Sequence, residues 1–235
     1  MNIPSAIVTG GAGFIGSHMV DLLVSKGFAV RVIDNMSGGH ERNLAKHVNN
    51  ENVTLERWDI RKLNPEGSFF KNTQFVFHFA GIGDIVPSIE HPIDYMDVNV
   101  QGTVRVLECA RLAGVQKFIY AASSSCYGIN DNKTDESQKI QPEHPYAFSK
   151  YLGEQTCLHW SKVYKIPTIS IRIFNAYGPR SRTNNVYGAV IGVFLKQRLS
   201  NYPLTIVGSG KQKRDFLYIS DVCEAFYKAS ISKYK

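Results

Sequence analysis

Short apolar runs alternate with longer stretches of helical periodicity along most of this chain. The runs predict six strands, and the stretches between them predict helices at 14–26, 94–112 and 146–164. Strands that alternate with helices favour a parallel sheet with right-handed crossovers and helices on both faces. The predicted fold class is therefore α/β, with a doubly wound parallel sheet. The predicted strands are residues 6–8, 30–34, 53–59, 75–80, 117–122 and 166–174.

The alternation weakens after residue 176. A helix is predicted near 187–199, extended pieces at 204–207 and 216–219, and a last helix from 221 in which the chain stops. We therefore predict a dinucleotide-binding domain over 1–175. Residues 176–235 would begin a smaller substrate domain, interleaved with the first.

Composition narrows the class of protein. Of 235 residues, 43% are hydrophobic and 20% charged, which is typical of a globular protein in solution. No apolar stretch approaches the roughly 20 residues of a membrane span, and no signal segment precedes the first strand, so we expect no membrane partner and a cytoplasmic location. The four cysteines and seven histidines lack metal-ligand spacing, so no metal is expected. The net charge of +7 is scattered, which argues against nucleic acid and suits an anionic nucleotide substrate.

A glycine-rich turn carries the first chemical signal. Gly10, Gly13 and Gly16 follow the first apolar run and open the first helix. This arrangement lets the backbone approach a pyrophosphate at a helix N-terminus, although glycine clusters also form plain turns. Asp34 ends the second run, where a carboxylate would bind ribose hydroxyls and disfavour a 2′-phosphate. The turn predicts dinucleotide binding, with NAD favoured over NADP.

A second signal lies at the start of the long helix. Tyr146 and Lys150 are four residues apart and share one helix face. A cationic lysine beside a phenol is expected to lower the tyrosine pKa, so that the tyrosine can exchange a proton with a sugar hydroxyl. The serine run 123–125 ends the fifth predicted strand and could share that proton.

Together these motifs resemble the extended short-chain dehydrogenase/reductase superfamily, in its nucleotide-sugar epimerase/dehydratase branch. The resemblance runs from residue 6 to about residue 230 and includes the serine run and the segments 77–81, 146–150, 174–180 and 214–219. It implies NAD as cofactor, a UDP-sugar substrate, and a homodimer formed through the helices at 94–112 and 146–164. Cell-surface polysaccharide assembly is the pathway that it suggests. Family chains usually continue well past the final helix, so it also implies a missing C-terminal portion.

The resemblance also implies a role for each matching residue. Tyr146 would be the acid/base, and Lys150 would be its partner at the nicotinamide ribose. Ser123 would be the catalytic serine, because the catalytic Ser/Thr of the family lies three residues before the position that Cys126 holds here. The NAD site would comprise Gly10, Gly13, Phe14, Ile15, Gly16, Asp34, Asn35, Met36, Ser37, Gly38, Asp59, Ile60, Phe79, Ala80, Gly81, Asn99, Tyr146, Lys150 and Phe174. The substrate site would comprise Ser123, Ser124, Tyr146, Asn175, Thr205, Val207 and Arg214, where Asn175 could instead cap a strand and Arg214 could form a surface ion pair.

The resemblance also bears on the reaction. Family 4,6-dehydratases place Asp-Glu directly after the catalytic Ser/Thr, and here Ser124 and Ser125 hold those positions. This difference favours epimerisation at C4 through a 4-keto sugar. Segment 185–191 is similar to that of epimerases acting on UDP-hexoses and UDP-N-acetylhexosamines, whereas Gly83 stands where some hexose epimerases carry lysine. A 4-keto-sugar reductase, a dehydratase, an NAD-binding fragment without turnover and an NAD-sensing regulator are the alternatives.

Overall fold

A six-stranded parallel sheet organises the chain. The computed structural model describes residues 3–129, 133–181, 190–206 and 208–234, and its strands lie in the order β3-β2-β1-β4-β5-β6. Each neighbouring pair is parallel, which confirms the predicted α/β doubly wound class. The order reverses between β1 and β4, where such sheets bind ligands. The strands are β1 Ser5–Thr9, β2 Ala29–Ile33, β3 Val53–Glu56, β4 Phe75–His78, β5 Lys117–Ser123 and β6 Thr168–Ile173.

Helices and a second, two-stranded parallel sheet complete the fold. The 3₁₀ segments are Glu41–His47, Ile60–Lys62 and Ser124–Tyr127, and Asp97–Gly102 is a π-helical segment. Over the described part of the chain, no helix is long and apolar enough to cross a membrane. The helices are α1 Phe14–Ser25, α2 Ile85–Glu90, α3 Pro92–Met96, α4 Thr103–Ala113, α5 Pro145–Tyr164, α6 Val190–Leu199 and α7 Ile219–Ile231, and the second sheet is β7 Asn175–Tyr177 with β8 Phe216–Tyr218.

Each face of the large sheet is covered by helices. Successive residues of a strand point to opposite faces, so Ile7 and Val8 of β1 belong to two different cores. Val8 packs in a cluster with α1 and α7, and Ile7 in a cluster with α4 and α5. Strands buried on both faces explain why they appear in the sequence as continuous apolar runs.

The last helix packs on the large sheet rather than on a separate body. Ile219, Val222 and Phe226 of α7 are buried in the same cluster as Val20 and Leu23 of α1. Full burial of a large apolar side chain contributes about 1.5–3 kcal/mol, so α7 adds substantially to this core. The domain boundary at residue 176 stays a prediction. Helix α7 lies in the segment assigned to the second domain but packs on the sheet of the first.

Some element boundaries differ from the prediction. The helix predicted over 94–112 is divided into α3, the π-helical segment and α4, and it ends where Gly114 adopts a left-handed φ of 66°. Residues 53–59 form a strand only to Glu56, because the chain then turns and the Trp58 amide donates to the Asp34 carbonyl. The extended piece predicted at 204–207 forms no strand over its described residues, 204–206. The last helix begins at Ile219 and ends at Ile231, before the chain stops.

Candidate functional site

A cavity of about 1510 Å³ opens at the carboxyl ends of the central strands. This is the place at which an open parallel sheet of this order binds a dinucleotide. The cavity brings together most of the residues predicted from the sequence. Among those that line it are Gly10, Gly13, Phe14, Ile15, Gly16, Asp34, Asn35, Ser37, Gly38, Asp59, Ile60, Phe79, Ala80, Gly81, Ser123, Ser124, Tyr146, Lys150, Phe174 and Asn175.

The glycine turn leaves no room for side chains. A Cβ on Gly10 would lie 2.7 Å from the Ala80 amide nitrogen, and a Cβ on Gly16 would lie 2.2 Å from the Gly10 carbonyl oxygen. Gly10 also has a left-handed φ of 68°. The turn leads into α1, whose N-cap Gly13 has no side chain to satisfy the first amides. These features form a cradle in which an anionic pyrophosphate fits.

Asp34 stabilises the glycine turn as well as facing the cavity. Its carboxylate is buried and accepts hydrogen bonds from the amides of Ala12, at 3.0 Å, and Met36, at 2.8 Å. A carboxylate has about four acceptor positions, so two remain for ribose hydroxyls. Met36 does not line the cavity, because its side chain packs against the α1 core. Met36 was predicted to contact NAD. In the structure only its backbone amide is directed to this site, where it holds the Asp34 carboxylate.

Asp59 forms an ion pair that the sequence analysis missed. Arg61 donates to both Asp59 oxygens, with its shortest contact at 2.7 Å, and the Asn35 amide reaches the same carboxylate at 3.4 Å. The hydrogen bond from Arg61 lowers the pKa of Asp59 to about 2. The Asp-x-Arg spacing within the 3₁₀ turn was the available signal. The pair holds the wall of the cavity next to Ile60.

Tyr146 and Ser123 meet at the opposite side of the cavity. The Tyr146 hydroxyl lies 3.4 Å from Ser123 Oγ, although the two residues sit on α5 and at the end of β5. Ser123 Oγ also contacts Ser125 Oγ at 3.0 Å and accepts from the Ser125 amide at 3.2 Å. The geometry therefore distinguishes Ser123 from Ser124, which lines the cavity without this contact to Tyr146.

Lys150 lies deeper than the helix spacing alone indicates. Its Nζ is 4.4 Å from the centre of the Tyr120 ring, a cation–π contact. Burial lowers the pKa of Lys150 to about 8. Burial also raises the pKa of Tyr146, assisted by the charge of Asp84, while the hydrogen bond with Ser123 acts in the other direction. The tyrosine pKa is thus raised and not lowered, contrary to the expectation from the Tyr-x-x-x-Lys spacing, because desolvation is the largest cause of its shift.

Asn99 holds a loop instead of lining the cavity. It lies in the π-helical segment, and its amide accepts from the Ile82 N–H at 2.9 Å and donates to the Ile82 carbonyl at 3.0 Å. It also donates to Ser149 Oγ at 2.9 Å, which ties the loop to α5. Asn99 therefore acts on the cavity through residues 81–83, which line it.

A chain of hydrogen bonds runs beneath this loop. The Ala80 amide donates to Thr9 Oγ1 at 3.2 Å, and Thr9 contacts His78 Nδ1 at 2.6 Å. His78 Nε2 contacts Thr103 Oγ1 at 2.9 Å, and Thr103 donates to the Asn99 carbonyl at 2.7 Å. Burial lowers the pKa of His78 to about 3, so the ring is neutral and Nε2 carries its hydrogen. The chain fixes β1, β4 and the π-helical segment relative to one another.

The cavity gathers fewer of the residues that were predicted to bind the substrate nucleotide. Asn175 lines the cavity, but its amide donates to the Asp215 carbonyl at 3.0 Å, in keeping with the strand-end alternative. Thr205 bonds to Gln197 of α6, and Arg214 bonds to the Lys213 carbonyl; neither lines the cavity. Val207 and most of segment 185–191 lie outside the described residues.

Arg180 and the 81–84 loop add residues that sequence reasoning missed. Arg180 lines the cavity and donates to Ser17 Oγ at 3.0 Å and to Asp21 at 2.7 Å, both on α1. The Gly-Pro-Arg motif was the available signal, since a basic residue there could reach the phosphate-binding helix. Asp84 and Tyr95 line the Tyr146 end of the cavity, and no sequence motif had indicated them.

Comparison with known proteins agrees with this geometry. A model described as the NAD dependent epimerase/dehydratase family matches residues 6–233. The chain is 34% identical over 226 residues to a UDP-glucose 4-epimerase of Mycolicibacterium smegmatis, which covers 95% of this chain and 72% of the relative.

Two solved structures superpose over nearly the whole chain. One is a UDP-N-acetylglucosamine 4-epimerase from Methanobrevibacter ruminantium in complex with UDP-N-acetylmuramic acid, with a TM-score of 0.95, 33% identity, and coverage of 100% of this chain and 75% of that one. The other is a UDP-glucuronic acid 4-epimerase from Bacillus cereus in complex with UDP-glucuronic acid and NAD, with a TM-score of 0.90, 31% identity, and coverage of 97% and 74%.

Proposed function

Because this chain belongs to the NAD-dependent epimerase/dehydratase family, we propose that it inverts C4 of a UDP-hexose or UDP-N-acetylhexosamine through a 4-keto sugar. The observation that carries the proposal is the pairing of Tyr146 with Ser123, 3.4 Å apart in the cavity that the glycine turn opens. A hydroxyl pair at the end of β5 can hold a sugar oxygen and exchange its proton. A binding fragment or a sensor needs no such pair.

The residues of this chain have distinct tasks in the proposed reaction. The glycine turn and the N-terminus of α1 hold the pyrophosphate of NAD, Asp34 the adenosine ribose, and Lys150 the nicotinamide ribose. Bound NAD supplies reversible two-electron oxidation of a carbinol carbon. Tyr146 takes the proton of the C4 hydroxyl and returns it after the 4-keto sugar has rotated in the site to present its other face. Ser123 orients the C4 oxygen towards Tyr146.

The serine run favours epimerisation over dehydration. Elimination of water across the sugar needs a carboxylic acid directly after the catalytic serine, and hydroxyls occupy both following positions, Ser124 and Ser125. A serine hydroxyl has no accessible pKa for general acid catalysis at neutral pH. Asn175 and Arg214 remain proposed contacts of the nucleotide diphosphate, and Thr205 and Val207 remain proposed contacts of the nucleotide base.

Incubation with UDP-glucose or UDP-N-acetylglucosamine and trace NAD tests the function. Proton NMR of the anomeric region should show galacto-configured sugar without net NADH. In a parallel incubation with a UDP-4-keto sugar and NADH or NADPH, net consumption of the reduced cofactor would instead indicate a 4-keto-sugar reductase. A sample that binds NAD and converts neither sugar would contradict the proposal for these substrates and favour the binding-only alternative.

Asp34 should make the protein select NAD over NADP. The carboxylate is 7% exposed and held by two backbone amides, so it cannot swing away from a 2′-phosphate. We expect NADP to bind at least about 100-fold more weakly than NAD, because close like charges cost several kcal/mol. Titration calorimetry with both dinucleotides measures the ratio. Equal affinities would show that Asp34 does not face the adenosine ribose.

We also propose a homodimer formed through α4 and α5. In the single chain, Leu112 at the end of α4 is 50% exposed, and Leu158 of α5 is 42% exposed. Leu112→Glu and Leu158→Glu should each convert a dimer to a monomer, as measured by light scattering after gel filtration, because a charge in an apolar interface is costly. Leu199→Glu on α6 is the matched control and should leave the mass unchanged. A wild-type monomer would contradict the proposal.

A further inference from the structure

A half-exposed tryptophan lines one end of the cavity. Trp58 follows β3 and is 43% exposed, whereas tryptophan side chains are on average highly buried in folded proteins. Its ring packs against Phe69, with ring centres 5.6 Å apart and planes at 51°. Trp58 also borders the cavity. Packing in the core therefore covers only part of this large aromatic surface.

Neighbouring elements fix the position of Trp58. Its amide donates to the Asp34 carbonyl at 3.1 Å, which places it beside the end of β2. Phe69, on which the indole packs, lies against the core that contains α4 and α5. The Phe69 carbonyl also accepts from the guanidinium of Arg31 on β2. The indole thus has a support that is tied to the large sheet.

The strand order indicates which half of the dinucleotide lies next to Trp58. The pyrophosphate cradle follows β1, and Asp34, placed for the adenosine ribose, follows the neighbouring strand β2. Trp58 follows β3, the next strand in the same direction, whereas Ser123 ends β5 on the other side of β1. Neighbouring strands are about 4.8 Å apart, so roughly 10 Å separates the cradle from the end of β3. This span suits an adenosine whose base reaches Trp58.

Polar side chains at this end of the cavity are engaged with one another. Arg61 donates to both oxygens of Asp59, and the Asn35 amide nitrogen donates to the same carboxylate at 3.4 Å. The Asn35 oxygen accepts from the amide and the hydroxyl of Ser37, at 3.1 and 2.7 Å. These bonds use much of the capacity that the two side chains have for a base. The indole is the surface at this end that suits a flat aromatic ring.

We propose that Trp58 binds the adenine of NAD: its indole stacks on the purine at the β3 end of the cavity. Stacking uses the π face that every base presents, so it recognises the ring and not its amino group. This inference rests on the proposed NAD-binding roles of the glycine turn and Asp34. It does not depend on turnover of a sugar.

Tryptophan fluorescence tests the contact directly. The second tryptophan of the chain, Trp160, lies on α5 about 20 Å along the helix from Tyr146, donates to Glu108 and does not line the cavity. In Trp160→Phe, where Trp58 alone emits, ADP-ribose and NAD should each quench most of the emission, because a stacked base quenches an indole on contact. In Trp58→Phe, where Trp160 alone emits, ADP-ribose should leave the emission unchanged. Quenching of Trp58 by NAD but not by bound ADP-ribose would overturn the proposal, since the nicotinamide would then be the group in contact.

Calorimetry measures what the contact contributes to affinity. Trp58→Ala should bind NAD about tenfold more weakly than wild type, and Trp58→Phe should stay within about threefold, because base–aromatic stacking needs only a π face. Nicotinamide hypoxanthine dinucleotide lacks the amino group of adenine, so Trp58→Ala should weaken its binding by the same factor. Circular dichroism checks that the variants fold.

The affinities also separate this inference from the NAD site itself. Unchanged NAD affinity in Trp58→Ala, or a loss confined to NAD and absent for the hypoxanthine dinucleotide, would overturn the role of Trp58 and leave the NAD site standing. A wild-type chain that binds neither dinucleotide would overturn both.

Discussion

Tyr146→Phe is expected to lower kcat for epimerisation by about 10³-fold, within the range that general acid–base catalysis contributes. The substitution removes only the hydroxyl that lies 3.4 Å from Ser123 Oγ. The ring contacts with Tyr95 and His144, at centroid distances of 6.3 and 5.9 Å, remain available to phenylalanine. NAD affinity, measured by calorimetry, should change little, so the loss would lie in the chemical step.

Tyr151→Phe is the matched control, because Tyr151 lies on the same helix but does not line the cavity. It should retain the wild-type kcat. Tyr146→Phe with more than about a tenth of the wild-type kcat would show that another group moves the proton. Ser123 and Ser124 can be compared in the same way, because Ser123, and not its neighbour Ser124, contacts the Tyr146 hydroxyl.

The protonation of this pair differs from the simple interpretation of Tyr-x-x-x-Lys. In the protein without ligand, burial raises the pKa of Tyr146 and lowers that of Lys150 to about 8. The phenol is therefore protonated at neutral pH, and Lys150 is close to losing its charge. The site without ligand therefore holds a neutral phenol, and Tyr146 must lose this proton before it can accept the proton of the C4 hydroxyl.

The parts of the fold that could be predicted are those with local causes. The glycine turn follows from the steric needs of Gly10 and Gly16, and the parallel sheet follows from the alternation of apolar runs with helices. Tyr146 and Lys150 could be paired because helical spacing alone puts them on one face. These features are visible within a few residues of sequence.

The missed features depend on contacts between distant segments. Helix α2 is only six residues long and contains Pro87, so its sequence shows no helical periodicity from which it could be predicted. The partner of Lys150 is Tyr120 on β5, thirty residues earlier, and the environment of both sets their pKa values. Thr205 was expected beside a base, but it satisfies its amide and hydroxyl on Gln197 of α6. Asp84 has a φ of 80° and follows a loop that Asn99 and Tyr95 hold by hydrogen bonds, and no local pattern shows these contacts.

The second large effect concerns the buried ion pair of Glu154 and Arg172. Glu154 of α5 is 4% exposed, and Arg172 of β6 donates to both of its oxygens, with the shortest contact at 2.8 Å. Arg172 also donates to the Tyr127 hydroxyl at 2.6 Å. Burial acts to lower the pKa of Arg172, but the hydrogen bonds to Glu154 and Tyr127 raise it. The guanidinium is therefore charged, and it satisfies both neighbours.

Arg172→Met is expected to lower the free energy of unfolding by about 3–5 kcal/mol, because it leaves an uncompensated carboxylate in the interior. Urea titration followed by circular dichroism measures this loss. The double variant Glu154→Leu/Arg172→Met should recover part of it, since a well-packed apolar pair can replace a buried ion pair. A double variant no more stable than Arg172→Met would show that the unpaired charge of Glu154 is not the cause of the loss.

This pair also connects stability to the site. Tyr127 stacks against Phe174, with ring centres 6.4 Å apart and planes at 26°, and Phe174 lines the cavity. The double variant no longer contains the unpaired carboxylate of Glu154, but the Tyr127 hydroxyl still lacks the hydrogen bond from Arg172. The Phe174 ring, which stacks on Tyr127, therefore loses support. We expect that variant to keep most of its stability and yet bind NAD more weakly than wild type. Unchanged NAD affinity in a stably folded double variant would show that Phe174 is positioned without Arg172.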